Sequence, residues 1–251
     1  MKKFLFATAM AAATLAAAPA FAANGYVGVT GSHTEVDVGS STGDANSFGL
    51  VGAGVTPLGA NLGLQFDGGV VFNDSDDLSD DTAFAGGLHL YRGASNSRFG
   101  GFAGVTTSDD VTTWDVGGEG QIFLNNVVLD GAIGYFNIDD LDVDGWGGRV
   151  GASVFPNDNF SISGGFGLAT ADGDSVDTDG WMAGIGTEFQ MSTMPVSFSA
   201  NYNHSEIDDF DLEVDTVSIG VNYNFGGGTL KDRKTTGPGL GGLGLAGLFR
   251  F

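Results

Sequence analysis

Carboxylates dominate the chemistry open to this protein: 31 Asp and Glu stand against 9 Lys and Arg, with 3 His and no Cys. Two runs have the spacing of calcium loops. Asp140, Asp142 and Asp144 precede Gly145, and Asp172, Asp174, Asp177 and Asp179 precede Gly180. Alternate Asp oxygens ahead of a turn glycine are how an EF-hand loop opens. The twelfth position of the first run is Gly151, where that motif needs a bidentate Glu, and no helix flanks it. Solvated hairpin tips that loosely hold Ca²⁺ or Mg²⁺ are therefore the expectation, with no other cofactor.

Nucleophilic catalysis finds little support. His33, His89 and His204 are the available bases, and no nucleophile-elbow pattern accompanies them. Without cysteine and with so few histidines, a zinc or haem site has no ligand set. The sequence reads as a non-enzyme. Its net charge of −22 argues against nucleic acid as a partner, since that binding depends on clustered Lys and Arg, and suits a surface that gathers cations.

The elements that must position these groups are short alternating segments. Val217, Ile219, Val221, Tyr223 and Phe225 interleave with Thr216, Ser218, Gly220, Asn222 and Asn224, giving one apolar and one polar face. The pattern restarts twelve times, near 24–33, 47–55, 61–72, 82–92, 98–107, 112–124, 127–138, 145–155, 160–170, 180–191, 196–205 and 216–225. No helix-period stripe interrupts it. Forty-four glycines suggest disorder, but 20 Phe in register with them argue for packed strands.

The connections alternate between two kinds. Residues 56–60, 93–97, 125–126, 156–159 and 192–195 are short and carry Gly, Asn or Pro, as tight reversals require. Residues 34–46, 73–81, 108–111, 139–144, 171–179 and 206–215 hold 24 of the 31 acidic residues and no Lys or Arg. One rim of the assembled strands is thus acidic. A sandwich of two sheets in water has no reason to sort its charges this way.

These features resemble bacterial outer-membrane β-barrels of the porin-like kind, which write each strand as alternating apolar and polar positions. The resemblance implies an all-β, transmembrane, antiparallel up-and-down barrel of about twelve strands, with short periplasmic turns and longer acidic extracellular loops. It also implies outer-membrane lipid and lipopolysaccharide as surroundings, and a final aromatic read by the barrel-assembly machinery, with Phe225 and Phe251 as candidates. A homo-oligomer would be in keeping. Residues 1–22 fit the expected export signal: Lys2 and Lys3, an apolar run, then Ala20-Phe21-Ala22 as the cleavage pattern. The barrel would occupy 23–225. Residues 226–251, Gly/Leu-rich and basic at Lys231–Lys234, would form a periplasmic extension, a plug or an extra strand, the last disfavoured because it breaks the even count.

Face assignment then picks the lumen. Val27, Leu64, Leu90, Trp114, Trp146, Trp181, Phe198 and Ile219 fall on the lipid side, with aromatics near both strand ends. The opposite parity holds Asp67, His89, Asp115, Glu119, Gln121, Asp130, Arg149, Glu188, Asn201 and Asn222 as pore-lining candidates. Five inward carboxylates against Arg149, with His89 counted as neutral, predict passive diffusion of small hydrophilic solutes with cations favoured. The alternative is a closed lumen in a structural barrel, with Arg149 bridging Glu119, Asp130 or Glu188, and acidic loops that bind divalent cations or a partner.

Overall fold

The computed structural model describes residues 23–74, 81–108, 111–173 and 176–243. The expected export signal, Asp174 and Phe251 lie outside them. Twelve antiparallel strands pair each with its neighbour in sequence, and the first pairs with the last. They are β1 (Asn24–Val38), β2 (Ser41–Pro57), β3 (Leu62–Asp74), β4 (Asp81–Ala94), β5 (Ser97–Ser108) and β6 (Val111–Leu124). The second half comprises β7 (Val127–Ile138), β8 (Val143–Asn157), β9 (Phe160–Gly173), β10 (Val176–Gln190), β11 (Val196–Ile207) and β12 (Leu212–Phe225). Closure runs through an unbroken register from Gly25↔Phe225 to Val38↔Leu212, so the sheet has no free edge.

The alternation does place apolar side chains outward and polar ones inward. On β12, Ile219 and Tyr223 are 66% and 54% exposed, whereas Asn222 and Asn224 are 4% and 3% exposed. A water-soluble protein would reverse this order; only a hydrocarbon solvent rewards it. One cluster of outward aromatics lies near the acidic rim, while Phe99, Phe189, Phe198 and Tyr223 face outward near the turn rim. Tyr135 contacts Trp114 at 5.5 Å and Trp146 at 5.8 Å between ring centroids, and Trp181 lies 6.3 Å from Phe166. Trp114 Nε1 donates to Asp139 at 3.2 Å and Trp181 Nε1 to Glu206 at 3.1 Å, so each indole has its ring below and its polar tip among the rim carboxylates. That is how aromatic belts sit at an interface.

The strands run further than the sequence pattern suggests. Residues 34–46, read as a loop, are mostly strand: Thr34 to Val38 pair with Ala45 to Ser41 across a two-residue turn, where Gly39 takes a φ of +59°. A bilayer needs only ~9–11 tilted residues per strand, and β2 has 17. The charged portions therefore project beyond hydrocarbon, where water tolerates Asp and Glu on a paired strand. The same occurs at 206–215, which narrows to a single 3-10 turn at Asp208–Phe210 and Asp211.

Candidate pore and its C-terminal plug

Beyond β12 the polypeptide turns back into the barrel. Gly226, Gly227 and Gly228 all have positive φ (95°, 79° and 87°), a reversal that side-chain-bearing residues resist. The helix α1 (Leu230–Thr236) follows, opened by a capping box in which Thr229 and Asp232 satisfy each other's backbone N–H groups. Leu230 is 0% exposed and packs on Val128 and Phe155, with Phe123 beside them. Arg233 donates to Gln190 at 2.7 Å and to Asn224 at 2.5 Å. Glu188 accepts from Ser197 at 2.7 Å and faces Arg233 and Lys234 at 3.7 and 3.5 Å. Lys231 reaches Asn126 at 2.8 Å, and Asn24 donates to Thr236 at 3.1 Å. The helix is thus fixed to the turn rim from several sides. Among the described residues the tail adds no strand to the sheet.

Residues 237–243 then run along the lumen, bent at 237–238 and turning at 242–243, where Gly242 has a φ of +56°. Arg98 Nη1 donates to the Gly237 carbonyl at 2.8 Å, and Gln121 Nε2 to the Gly239 carbonyl at 2.6 Å. Gln65 donates to the Leu240 carbonyl at 2.6 Å while accepting from the Gly239 and Leu240 N–H groups at 3.1 and 3.2 Å. Arg149 Nε donates to the Gly242 carbonyl at 2.6 Å, and Glu119 accepts from the Gly242 N–H at 3.0 Å. Leu243 packs against Phe102, Ala132 and Phe136.

The lumen candidates fall into two groups around this plug. Asp67, His89, Glu119, Gln121, Asp130 and Arg149 surround this run, with Asp115 receiving a backbone hydrogen bond from Leu243. His89 stands between two carboxylates, its Nε2 2.7 Å from Asp67 and its Nδ1 2.6 Å from Glu119. Arg149 pairs with Asp130 at 2.6 Å. Glu188 lies lower, near α1, Asn222 is buried opposite Ser197, and Asn201 sits apart, donating to Ser218 at 3.3 Å. A cavity of about 140 Å³ remains beside the tail, lined in part by Asp67, His89, Asp115, Asp130 and Arg149.

Sequence reasoning missed Gln65, Arg98, Gln190 and Arg233, all buried in the lumen. The first three were within reach, because strand parity turns Gln65, Arg98 and Gln190 inward opposite Phe66, Phe99 and Phe189. Arg233 belongs to a segment with no alternation, so parity says nothing about it.

The described residues of the calcium-like runs lie in a tight hairpin turn and on strands. Asp142 has a left-handed φ of 49° after a 3-10 turn at Asp139–Leu141, and Asp144 is already on β8. Register sets Asp144, Asp172 and Asp177 abreast on β8, β9 and β10, with Asp179 further along β10. Among the described residues no group of three or more His, Asp or Glu is arranged to hold a metal ion.

Comparison with known proteins agrees with the fold. Residues 59–225 match the family described as outer membrane protein beta-barrel domain. No curated protein matches the sequence. Among solved structures, the COG4313 outer membrane channel from Pseudomonas putida F1 superposes with a TM-score of 0.60 at 11% identity, covering 80% of this chain and 96% of that one. The translocator domain of the autotransporter NalP from Neisseria meningitidis gives 0.52 at 12% identity, covering 88% and 95%. The KdgM porin in complex with disordered oligogalacturonate gives 0.51 at 9% identity, covering 79% and 99%. At such identities the likeness is one of fold. With an outward apolar belt, a polar interior and the family match across most of its strands, the protein belongs to the outer membrane protein β-barrel family and is a protein of the outer membrane.

Proposed function

We propose that this protein is an outer-membrane channel for passive diffusion of small hydrophilic solutes, with cations preferred, and that its own C-terminal segment closes it. The observation that carries this reading is the charge left on the wall when the tail is set aside. Asp67, Asp115, Glu119, Asp130 and Glu188 then face Arg98, Arg149 and His89, the last held between Asp67 and Glu119, and the carboxylates still outnumber the cations, while Arg233 and Lys234 leave with the tail. Fixed carboxylates in a narrow aqueous path lower the barrier for cations and raise it for anions. The acidic rim, on the extracellular side, concentrates cations before entry and suits loose divalent bridging to lipopolysaccharide phosphates.

A second reading is a structural barrel with a permanently closed lumen. It is favoured by the partners that the tail and wall supply to each lumen carboxylate. Planar-bilayer recording separates the two. The full-length protein with Arg233→Ala and Lys234→Ala should show frequent conductance steps with a cation-biased reversal potential, and the unaltered protein rarer ones. Silence from both would leave the closed barrel as the function.

A further inference from the structure

The plug is gripped through its backbone. The Gly, Pro and Leu side chains of residues 237–243 carry no hydrogen-bonding group, so the wall meets the run at its backbone: Gly237, Gly239, Leu240 and Gly242 offer carbonyls, and Gly239, Leu240, Gly242 and Leu243 offer N–H groups. Gln65 meets Leu240 with donor and acceptor together, as a neighbouring strand would. The wall thus holds this polypeptide by its amides, with the Leu243 side chain packed on Phe102, Ala132 and Phe136.

The same wall rejects side chains at the glycine positions. A Cβ on Gly239 would stand 2.6 Å from Arg98 Nη2, and one on Gly241 would stand 2.9 Å from Arg149 Nη2. Both guanidinium groups are held by their bonds to Gln121 and Asp130, so neither can simply swing away. Gly242 has a φ of +56° and lies against Phe102.

We propose that the lumen wall at Gln65, Arg98, Glu119, Gln121 and Arg149 is a binding site for short, glycine-rich peptides, occupied here by the protein's own residues 237–243. Free peptide competes for the site when the tail leaves. This deepens the channel reading by naming a ligand class, and it rests on that reading only for the ligand's route of entry.

The test uses the full-length protein in detergent micelles and a fluorescent peptide, Gly-Pro-Gly-Leu-Gly-Gly-Leu, copied from residues 237–243. Gly239→Val with Gly242→Val unseats the resident tail without touching the wall, and heat-shifted gel mobility verifies that the barrel is intact. The peptide should bind this variant at least tenfold more tightly than the unaltered protein. Adding Gln65→Leu should cost tenfold or more, as should replacing each peptide glycine by alanine. Arg233→Ala with Lys234→Ala provides a second way to free the site. Equal binding to all variants, or indifference to Gln65 and to the glycines, overturns the proposal. Bilayer recordings of the same variants separate this from the channel reading. Peptide binding without conductance removes the channel and leaves the site, whereas conductance that the peptide neither binds nor blocks removes the site alone.

Discussion

Arg149 on β8 holds Asp130 on β7 with Nη1 at 2.6 Å, leaving its Nε for the Gly242 carbonyl at 2.6 Å. One guanidinium therefore serves both wall and plug. Asp130→Asn strands a mostly buried cation and should cost about 3 kcal/mol in urea unfolding. Asp130→Leu with Arg149→Met should recover much of that loss while loosening the tail. A double variant as unstable as the single one would mean that the pair is not a unit.

Leu230 is the apolar anchor of α1. Leu230→Ala should weaken docking by about 2–5 kcal/mol without altering the heat-shifted mobility of the barrel. Trypsin reads this directly at Lys231, Arg233 and Lys234: cleavage should accelerate at least tenfold. An unchanged rate would show that Leu230 does not hold the helix.

The capping box carries a pH dependence. The backbone N–H of Thr229, and then its hydroxyl, donate to Asp232 and hold its carboxyl below the usual carboxylate range. A depressed carboxyl contributes above its free value and loses that contribution as pH falls through the docked value. The cap is therefore intact at neutral pH and fails in acid, below about pH 4. Its effect is small, because Asp232 is exposed. Carboxyl NMR should show the Asp232 midpoint rising in Thr229→Ala; a fixed midpoint would remove the capping role.

Depth in the bilayer is testable on one face of β12. Ile219→Arg puts a charge in hydrocarbon and should cost about 2–4 kcal/mol. Glu213→Arg, on the same outward face at the acidic rim, should cost close to nothing. Equal costs at both positions would contradict the assignment of the apolar belt to lipid.

Glu119 and Glu188 both contribute to the lumen charge, and both touch the plug, at Gly242 and at Lys234. Glu119→Gln with Glu188→Gln should lower the cation bias of the open channel and raise its opening frequency together. Unchanged selectivity would show that these two residues do not line the conducting path.

Much of the barrel was legible because a strand's faces are set by parity. Ile219 and Asn222 declare opposite solvents with no knowledge of their neighbours, and the sorting of acidic residues marked the two rims. Strand ends were harder, since Thr34–Val38 carry charges that look like a loop until their pairing outside the hydrocarbon is seen. A plug was one of three fates open to the tail, and its seat was not legible at all. Gly237–Leu243 bind through backbone atoms, which every sequence has, and Gln65 meets Leu240 across 175 positions. Parity turns Glu188 inward, but its engagement by Arg233 and Lys234 depended on where the tail goes.

Where the helix sits also has consequences for biogenesis. Its anchors Asn24 and Asn224 belong to the first and last strands, which become neighbours only when the cylinder has shut. The stopper is synthesised after all twelve strands and finds its seat only in a finished wall. A half-assembled intermediate consequently lacks the seal, and a seated tail certifies that the seam has joined.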